Sequence, residues 1–273
     1  MNNKFGICEW VFPVQGAGAI LRAAALGFDG IQIAERGGYE SDFPLLRADV
    51  QEEYYIAQQQ TGVKLQALHL WSLCRAAFLI HPMQSAAGKL GMLCLDKGIA
   101  ACSAMHIPSL MITSGFFCQI KNETDLEIFS DYLRYACHVA TDSGVQIVFE
   151  SALTPSQLLQ VIDYTDNRLK ICYDLFNPLR FHCGNPLEEI PLIGLTHIDH
   201  FHVKDGPENM LGCTLLGEGC GRIPDVITLL NCLDYRGWYI SENYYQDSLI
   251  SNFHAFDEAA RMDLSTLRKH CNI

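Results

Sequence analysis

The chain has 273 residues, 49% of them hydrophobic, and carries a formal net charge of −12 from 19 basic and 31 acidic residues. This length suits one α/β domain, and the negative charge disfavours nucleic acid as a partner because phosphate backbones would be repelled. Residues 1–7 do not resemble a secretory signal, and no apolar run approaches the roughly 18 residues that cross a bilayer, so we predict a soluble, cytoplasmic protein without a membrane partner.

Short apolar runs alternate with longer amphipathic segments along the chain. The apolar runs predict strands at residues 4–9, 30–34, 64–69, 109–113, 145–150, 169–174, 197–203 and 238–242. The amphipathic segments predict helices near residues 15–26, 43–61, 84–104, 124–142, 155–164, 186–194, 223–234 and 254–270. Eight strands alternating with eight helices are typical of parallel βα units, and eight such units close a barrel. The predicted fold class is therefore α/β, one (β/α)8 TIM barrel that spans residues 1–273 as a single domain.

Local signals at the ends of the predicted helices support these boundaries. Gly27, Gly62 and Gly144 stand shortly before strands, where glycines commonly end helices. Thr124, followed by Glu127, has the pattern of a capping box at the start of the fourth helix.

The twelve cysteines are scattered and form no Cys-x-x-Cys pair. Several of them, including Cys8, Cys94, Cys137 and Cys172, fall inside apolar strand or helix patterns, where a reduced thiol behaves as a small hydrophobic group. We therefore predict free cysteines and no disulfide framework.

Four polar residues lie where predicted strands end, and they form the most informative feature of the chain. Glu150, Asp174 and Glu242 close apolar runs, and His202 lies near the end of the seventh strand. A charged residue directly after a buried run is costly unless it is paired, solvated or bound to a cation. Because the C-terminal strand ends of a βα barrel meet on one face, we expect these four side chains to lie together.

Three carboxylates and one imidazole suit a divalent cation with open coordination positions better than they suit structural zinc. The predicted cofactor is one divalent metal ion, Mn²⁺ first, with Mg²⁺, Co²⁺, Fe²⁺ or Zn²⁺ as alternatives. Such an ion can polarise a substrate carbonyl. A carboxylate on each side of the neighbouring carbon could then remove and return a proton, and Glu150 and Glu242 are the predicted catalytic pair.

Three segments near the C-terminus carry a family resemblance. They are residues 200–205 (HFHVKD), 216–219 (LGEG) and 233–242 (LDYRGWYISE). They resemble the strand-seven motif, the Gly-Glu-Gly loop and the strand-eight signature of the sugar phosphate isomerase/epimerase superfamily, the xylose isomerase-like barrels. Residues 25–33, with Gly27, Phe28 and Gly30, are similar to the family's entry into strand two. The resemblance implies a one-metal site of Glu150, Asp174, His202 and Glu242, with the two glutamates as acid/base catalysts.

Two positions depart from the ketose 3-epimerases of this superfamily. Those enzymes usually carry a histidine three residues after the strand-six aspartate, where this chain has Asn177. They also carry an arginine shortly after the strand-seven motif, whereas residues 206–210 read GPENM. Contacts to the substrate should therefore differ, with Asn177 as a candidate substrate-binding residue.

Further candidates for substrate binding lie beside the predicted site. His69 could bind substrate and Trp71 could stack on a sugar face, although packing at the edge of the core is the alternative for each. Glu9 and Trp10, at the end of strand one, have the same two interpretations.

Two candidates belong to the strand-seven motif. Lys204 could bind an anionic substrate or form an ion pair with Asp205, and the ion pair is slightly favoured. His200 alternates with His202 and faces the same side, so it could support the site or be a hydrogen-bonded interior histidine.

The leading hypothesis is a divalent-metal-dependent isomerase or epimerase of a small sugar, sugar phosphate or polyol-derived ketone. The alternatives are a dehydratase or lyase of the same barrel family, similar to inosose dehydratase, and a non-catalytic barrel subunit. A multi-zinc nuclease is disfavoured, because the chain is acidic and has few histidines at strand ends. A small carbohydrate is the predicted partner, and a homo-oligomer is possible.

Overall fold

Hydrogen bonds between successive parallel strands, and between the last strand and the first, close an eight-stranded barrel. The computed structural model describes residues 2–35, 37, 40, 43–208 and 210–271. The strands are β1 Lys4–Cys8, β2 Gly30–Glu35, β3 Lys64–Leu70, β4 Ser109–Thr113, β5 Gln146–Glu150, β6 Lys170–Asp174, β7 Ile198–Val203 and β8 Trp238–Ser241. Every strand begins and ends within one residue of its predicted bounds, so the α/β barrel prediction is confirmed.

Helices occupy the connections between strands. They are α1 Ala17–Leu26, α2 Ala48–Thr61, α3 Trp71–Arg75, α4 Ala86–Met105, α5 Glu123–Val139, α6 Pro155–Tyr164, α7 Asn177–Arg180, α8 Pro186–Ile193, α9 Ile223–Cys232, α10 Ser248–Ser251 and α11 Phe256–His270. The eight predicted helices are present. The three additional ones, α3, α7 and α10, follow β3, β6 and β8 and are only four or five residues long. A segment that short shows no helical repeat of apolar residues, so the sequence did not predict them.

Two of the predicted helix ends are confirmed, and the predicted cap is wrong. Gly27 and Gly62 adopt left-handed conformations and end α1 and α2. The N-cap of α5 is Asn122, whose side chain accepts from the N–H of Asp125, rather than Thr124. A capping box does occur, but at α6, where Thr154 and Gln157 bond each other's backbone.

The barrel wall separates a large apolar core from a small one. Alternating strand residues such as Ile147 and Phe149 belong to the large core between strands and helices. The smaller cluster, inside the barrel, consists of Met111, Val148 and Cys172. Polar side chains, described below, share that interior, which in TIM barrels is usually filled by branched apolar residues.

All twelve cysteines are free, as predicted, and most of them are buried. Among the described residues, no helix has the length and apolar character needed to cross a membrane.

We predict that Gly30→Ala destabilises the barrel. A Cβ at Gly30 would lie 2.7 Å from the Trp238 ring and 3.1 Å from the carbonyl oxygen of Lys64. Such overpacking typically lowers the free energy of unfolding by about 1–3 kcal/mol, which urea denaturation would measure. Gly115→Ala is the control, because its Cβ would meet only Thr113, at 3.7 Å. Equal stability of the two variants would contradict the prediction.

Candidate metal centre and active site

Four neighbouring strands bring the predicted metal ligands together. Glu150 and Asp174 are the last residues of β5 and β6, His202 is the penultimate residue of β7, and Glu242 follows β8 directly. All four side chains are buried, with at most 7% of each residue exposed. One donor atom from each lies within 4.8 Å of the others. The structure therefore contains a possible metal-binding site at the C-terminal face of the barrel.

Each glutamate uses one oxygen for an anchoring hydrogen bond and directs the other towards His202. Oε2 of Glu150 accepts from the hydroxyl of Thr113 at 3.0 Å, and Oε1 of Glu242 accepts from the indole N–H of Trp10 at 2.8 Å. The remaining oxygens, Oε1 of Glu150 and Oε2 of Glu242, lie 3.4 and 3.5 Å from Nδ1 of His202. The anchors hold the two carboxylates so that one oxygen of each converges on the site.

Asp174 is held in the same way. Its Oδ1 accepts from the backbone N–H groups of Phe176 and Asn177, at 2.8 and 2.7 Å. Its Oδ2 is buried and has no hydrogen-bond partner. Lys204 Nζ lies 2.8 Å from this oxygen as an ion-pair contact, without the alignment of a hydrogen bond.

The orientation of His202 leaves one ring nitrogen for a cation. Nε2 lies 2.8 Å from Oε1 of Gln32, and Nδ1 is buried without a hydrogen-bond partner. Buried polar atoms normally have partners. Nδ1 of His202 has no hydrogen-bond partner and faces both glutamates, and Oδ2 of Asp174 has an ion-pair contact with Lys204 but no hydrogen bond. Both atoms therefore fit a cation as a further partner.

Lys204 lies within the site and contacts two of the acids. Its Nζ is 2.6 Å from Oε2 of Glu242 and 2.8 Å from Oδ2 of Asp174, and only 4% of the residue is exposed. The favoured prediction of an ion pair with Asp205 was wrong, because the Lys204 side chain turns towards the strand-end carboxylates. One ammonium offsets only part of the negative charge that three buried carboxylates can carry, and a divalent cation would add to this compensation.

The surroundings shift the carboxyl pKa values in different directions. Burial opposes ionisation at both glutamates, but His202 and Lys204 outweigh it, so the pKa of Glu150 is lowered and that of Glu242 lies well below its usual value. At Asp174 burial prevails over the attraction of Lys204, and its pKa is raised. Both glutamates are therefore held ionised, as a metal ligand or general base must be.

Thiols near the histidines are weaker candidates for ligands. Cys8 and Cys172 can be grouped geometrically with His200, His202 or Glu242. Burial raises the pKa of Cys8 to about 12 and also raises that of Cys172. A metal binds the thiolate, so the oxygen-rich set is the better ligand set at neutral pH.

Asp205 organises the loop that follows β7. Its carboxylate accepts from the backbone N–H groups of four glycines, at 2.8 to 3.2 Å: Gly206, Gly217, Gly219 and Gly221. A Cβ at Gly219 would overlap Oδ1 of Asp205. The Gly-Glu-Gly segment therefore provides the close backbone approach that lets one acid fold this loop beside the site.

A cavity of about 460 Å³ lies beside the metal ligands, a size typical of small-molecule sites. Glu150, Glu242 and Lys204 line its inner end. Asn177 and Arg180 line it as well, and the Oδ1 of Asn177 is buried without a hydrogen-bond partner. The remaining lining residues include the hydroxyls of Ser114 and Ser151 and the apolar side chains of Phe116, Ile120, Leu153, Phe181 and Leu211.

His69 and Trp71 lie behind the site. Nε2 of His69 is 3.1 Å from the Thr113 hydroxyl, and because that hydroxyl donates to Glu150, it must accept from His69. Burial lowers the pKa of His69 to about 4, so the imidazole is neutral. Trp71 packs against His69 and Phe116. Neither His69 nor Trp71 is among the residues that line the cavity.

Glu9 and His200 also have structural partners. The carboxylate of Glu9 is buried and accepts from the backbone N–H groups of Gly16 and Ala34, at 2.5 and 2.9 Å. It therefore ties the end of β1 to β2, which argues against its predicted contact with substrate. His200 is wholly buried in the barrel interior, 5.4 Å from His202 between ring centroids, and burial lowers its pKa.

Sequence reasoning missed three residues of the site. Thr113 ends β4, so the strand-end rule that found Glu150 could have found it. Gln32 was identifiable as an amide inside the apolar run of β2. Arg180 belongs to the short helix α7, and no sequence signal pointed to it.

Comparison with known proteins places the chain among xylose isomerase-like barrels. A family model with the description "Xylose isomerase-like TIM barrel" matches residues 20–270. The chain is 26% identical over 236 residues to 2-epi-5-epi-valiolone 7-phosphate 2-epimerase from Actinoplanes sp., which covers 84% of this chain and 83% of that protein.

Solved structures share the fold at low sequence identity. D-psicose 3-epimerase from Clostridium cellulolyticum superposes with a TM-score of 0.77 at 17% identity, covering 97% of this chain and 98% of that one. The 3-keto-D-glucoside 4-epimerase from E. coli gives a TM-score of 0.75 at 18% identity, covering 98% and 100%. At this identity the likeness extends to the fold alone.

We predict that Lys204→Met destabilises the metal-free protein. Removing the ammonium that contacts both Asp174 and Glu242 leaves buried carboxylates without this compensation, which typically costs about 3–5 kcal/mol. Urea denaturation would measure this, and added Mn²⁺ should recover part of the loss, because a ligand that binds the folded state stabilises it. Lys89→Met, at an exposed position on α4, is the control. Equal unfolding of the two variants would contradict the prediction.

Proposed function

From the premise that this chain belongs to the xylose isomerase-like TIM barrel family, we propose that it is a divalent-metal-dependent epimerase or isomerase of a small keto-sugar or keto-polyol. The observation that carries the proposal is the convergence of three carboxylates and one imidazole nitrogen beside the cavity. The donor set, rich in hard oxygen ligands, favours Mn²⁺ over structural zinc. The relative from Actinoplanes is named as an epimerase, which agrees with this proposal.

Glu150, Asp174, His202 and Glu242 would hold the metal. When bound, a divalent cation polarises a substrate carbonyl and so acidifies the neighbouring C–H bond. The protein's own groups would position the substrate and transfer the proton. Asn177, with an unpartnered amide oxygen, can accept a hydrogen bond from a substrate hydroxyl in the cavity.

Glu150 and Glu242 are the proposed acid/base pair. One carboxylate would take the proton from carbon, leaving its electron pair in an enediolate. The other would first take up a proton from solvent and would then return it to the opposite face of the same carbon for epimerisation; exchange with solvent afterwards restores the starting protonation states. Their lowered pKa values keep either group ready to accept a proton. Thr113 and Trp10 hold them by the hydrogen bonds at their other oxygens.

A phosphorylated ketone is the proposed substrate class. The relative from Actinoplanes acts, by its name, on a 7-phosphate. Two cationic side chains line the described part of the cavity, and Lys204 already pairs with Asp174 and Glu242. Arg180 lies over the Phe181 ring, 4.6 Å from its centroid, and is the cation that could reach a phosphate, since a guanidinium matches phosphate oxygens in geometry and charge.

We expect Glu150→Gln and Glu242→Gln each to lower kcat by at least about 10²–10⁴-fold, the usual contribution of a general acid or base. The assay is incubation with Mn²⁺ and a panel of ketoses, ketose phosphates and inososes in D₂O, with deuterium incorporation and product configuration read by NMR. Glu127→Gln, exposed on α5, should keep wild-type turnover. Near wild-type kcat in either active-site variant would overturn the role given to it.

The same assay tests the reaction class. Incorporation of deuterium with inversion, and without loss of water, supports the epimerase. A dehydrated product would assign the chain to the lyases instead. Failure of the purified, Mn²⁺-treated protein to hold metal by elemental analysis would remove the metal-dependent function altogether.

We expect Arg180→Gln to raise KM for a phosphorylated substrate about 10-fold or more with little change in kcat, as when uniform binding is lost. The unphosphorylated analogue should be turned over with the same KM by both proteins. Arg134→Gln is a matched control, because Arg134 also stacks on a ring, that of Tyr164, but lies at an exposed position of α5. Equal KM changes for both analogues would contradict phosphate binding by Arg180.

A further inference from the structure

A line of buried hydrogen-bonding groups crosses the interior of the barrel behind His202. Gln32 lies in β2, and His200 and His202 lie in β7. Because β1 and β8 separate these strands in the sheet, the side chains meet across the interior. All three residues are completely buried, and a polar group buried in this way is costly unless it is bonded. Apolar residues could have filled this space, so the line has a role beyond filling volume.

The donor and the acceptor of each hydrogen bond in this line follow from the chemistry of the side chains. The carboxylate of Asp199 only accepts and lies 2.7 Å from Nδ1 of His200, so Nδ1 carries the proton. Nε2 of His200 accepts from the amide nitrogen Nε2 of Gln32, 2.7 Å away, because an amide nitrogen can only donate. That nitrogen donates, so the amide oxygen of Gln32 faces His202 at 2.8 Å.

The last member of the line must donate. Oε1 of Gln32 accepts, so Nε2 of His202 carries a proton. Nδ1 is then the nitrogen that faces the two glutamates, and a metal bound there would take the place of its proton. A second amide reinforces this orientation, because Gln66 Oε1 accepts from Gln32 Nε2 at 2.7 Å. Turning the Gln32 amide over would place its oxygen against the Gln66 oxygen.

We propose that Gln32 is a positioning residue that makes Nδ1 of His202 the metal ligand. In this proposal Asp199, at the far end of the line, determines which group donates and which accepts in each of its hydrogen bonds. The inference rests on the proposed metal site. Three residues along a strand span about 10 Å, so a partly exposed acid, with 22% of its side chain accessible, controls a ligand well away from it. In metal sites, the group that bonds the second nitrogen of a ligating histidine fixes which nitrogen binds.

Gln66 provides a control that distinguishes a positioning role of Gln32 from a packing role. Like Gln32, it is a buried glutamine, 3% exposed, in the neighbouring strand β3. It bonds Gln32, and its amide nitrogen lies 3.3 Å from Asp199 Oδ2, but none of its hydrogen bonds reaches His202. Gln32→Leu and Gln66→Leu therefore each delete one buried amide group, but only Gln32→Leu removes the oxygen that accepts from Nε2 of His202.

The experiment measures the Kd for Mn²⁺ by EPR of the free ion, together with urea unfolding of the metal-free proteins. Gln32→Leu should raise Kd about 10–100-fold, the usual effect of losing such a partner, whereas Gln66→Leu should stay near wild type even if both unfold more easily. Gln32→Glu keeps an oxygen acceptor and should retain most of the affinity. Asp199→Asn should weaken Mn²⁺ binding by less than Gln32→Leu does.

NMR of ¹⁵N-histidine in Zn²⁺-loaded protein supplies a direct readout. Wild type should show Nε2 of His202 protonated and Nδ1 bound to metal. In Gln32→Leu, Nδ1 should no longer be the metal-bound nitrogen in all molecules. Equal Kd changes in the two leucine variants, or Nε2 as the ligand in wild type, would overturn the inference while leaving the metal site intact. A wild-type protein that binds neither ion would instead refute the proposed function.

Discussion

The concentration of negative charge at one end of the barrel is the constraint on which the rest of the site depends. Glu150, Asp174 and Glu242 are each almost fully buried, and ionised groups in that position require compensation. Lys204 supplies one positive charge, in contact with Asp174 and Glu242, and Nδ1 of His202 faces the glutamates without a hydrogen-bond partner. In the proposed metal site, stability of the fold and binding of a cation would therefore be coupled.

The surrounding structure gives each of the three buried carboxylates a hydrogen-bond partner in a fixed position. Thr113, Trp10 and the backbone at the start of α7 each hold one carboxylate oxygen. The other oxygens of Glu242 and Asp174 contact Lys204, and that of Glu150 is directed towards His202. Preorganisation of this kind means that binding a cation requires little rearrangement of the ligands.

The loop after β7 shows how one acid can be structural beside residues of the proposed metal site. Asp205 lies next to Lys204 in the chain, yet its carboxylate is used by four backbone N–H groups of glycines. Lys204 is thereby left to pair with the strand-end acids. The family resemblance in this segment therefore reflects two different requirements: a ligand with its counter-charge, and a tightly folded loop.

The sequence by itself determined the barrel and the convergence of its four strand-end residues, because strand periodicity and strand ends are local features and a closed parallel barrel brings those ends together. Only the tertiary structure decided which groups touch. Lys204 pairs with Asp174 and Glu242 instead of its neighbour Asp205, Glu9 binds backbone, and Gln32 reaches His202 across the interior. These partners lie as many as 170 residues apart, and side-chain direction over such separations is set by packing, which no local pattern encodes.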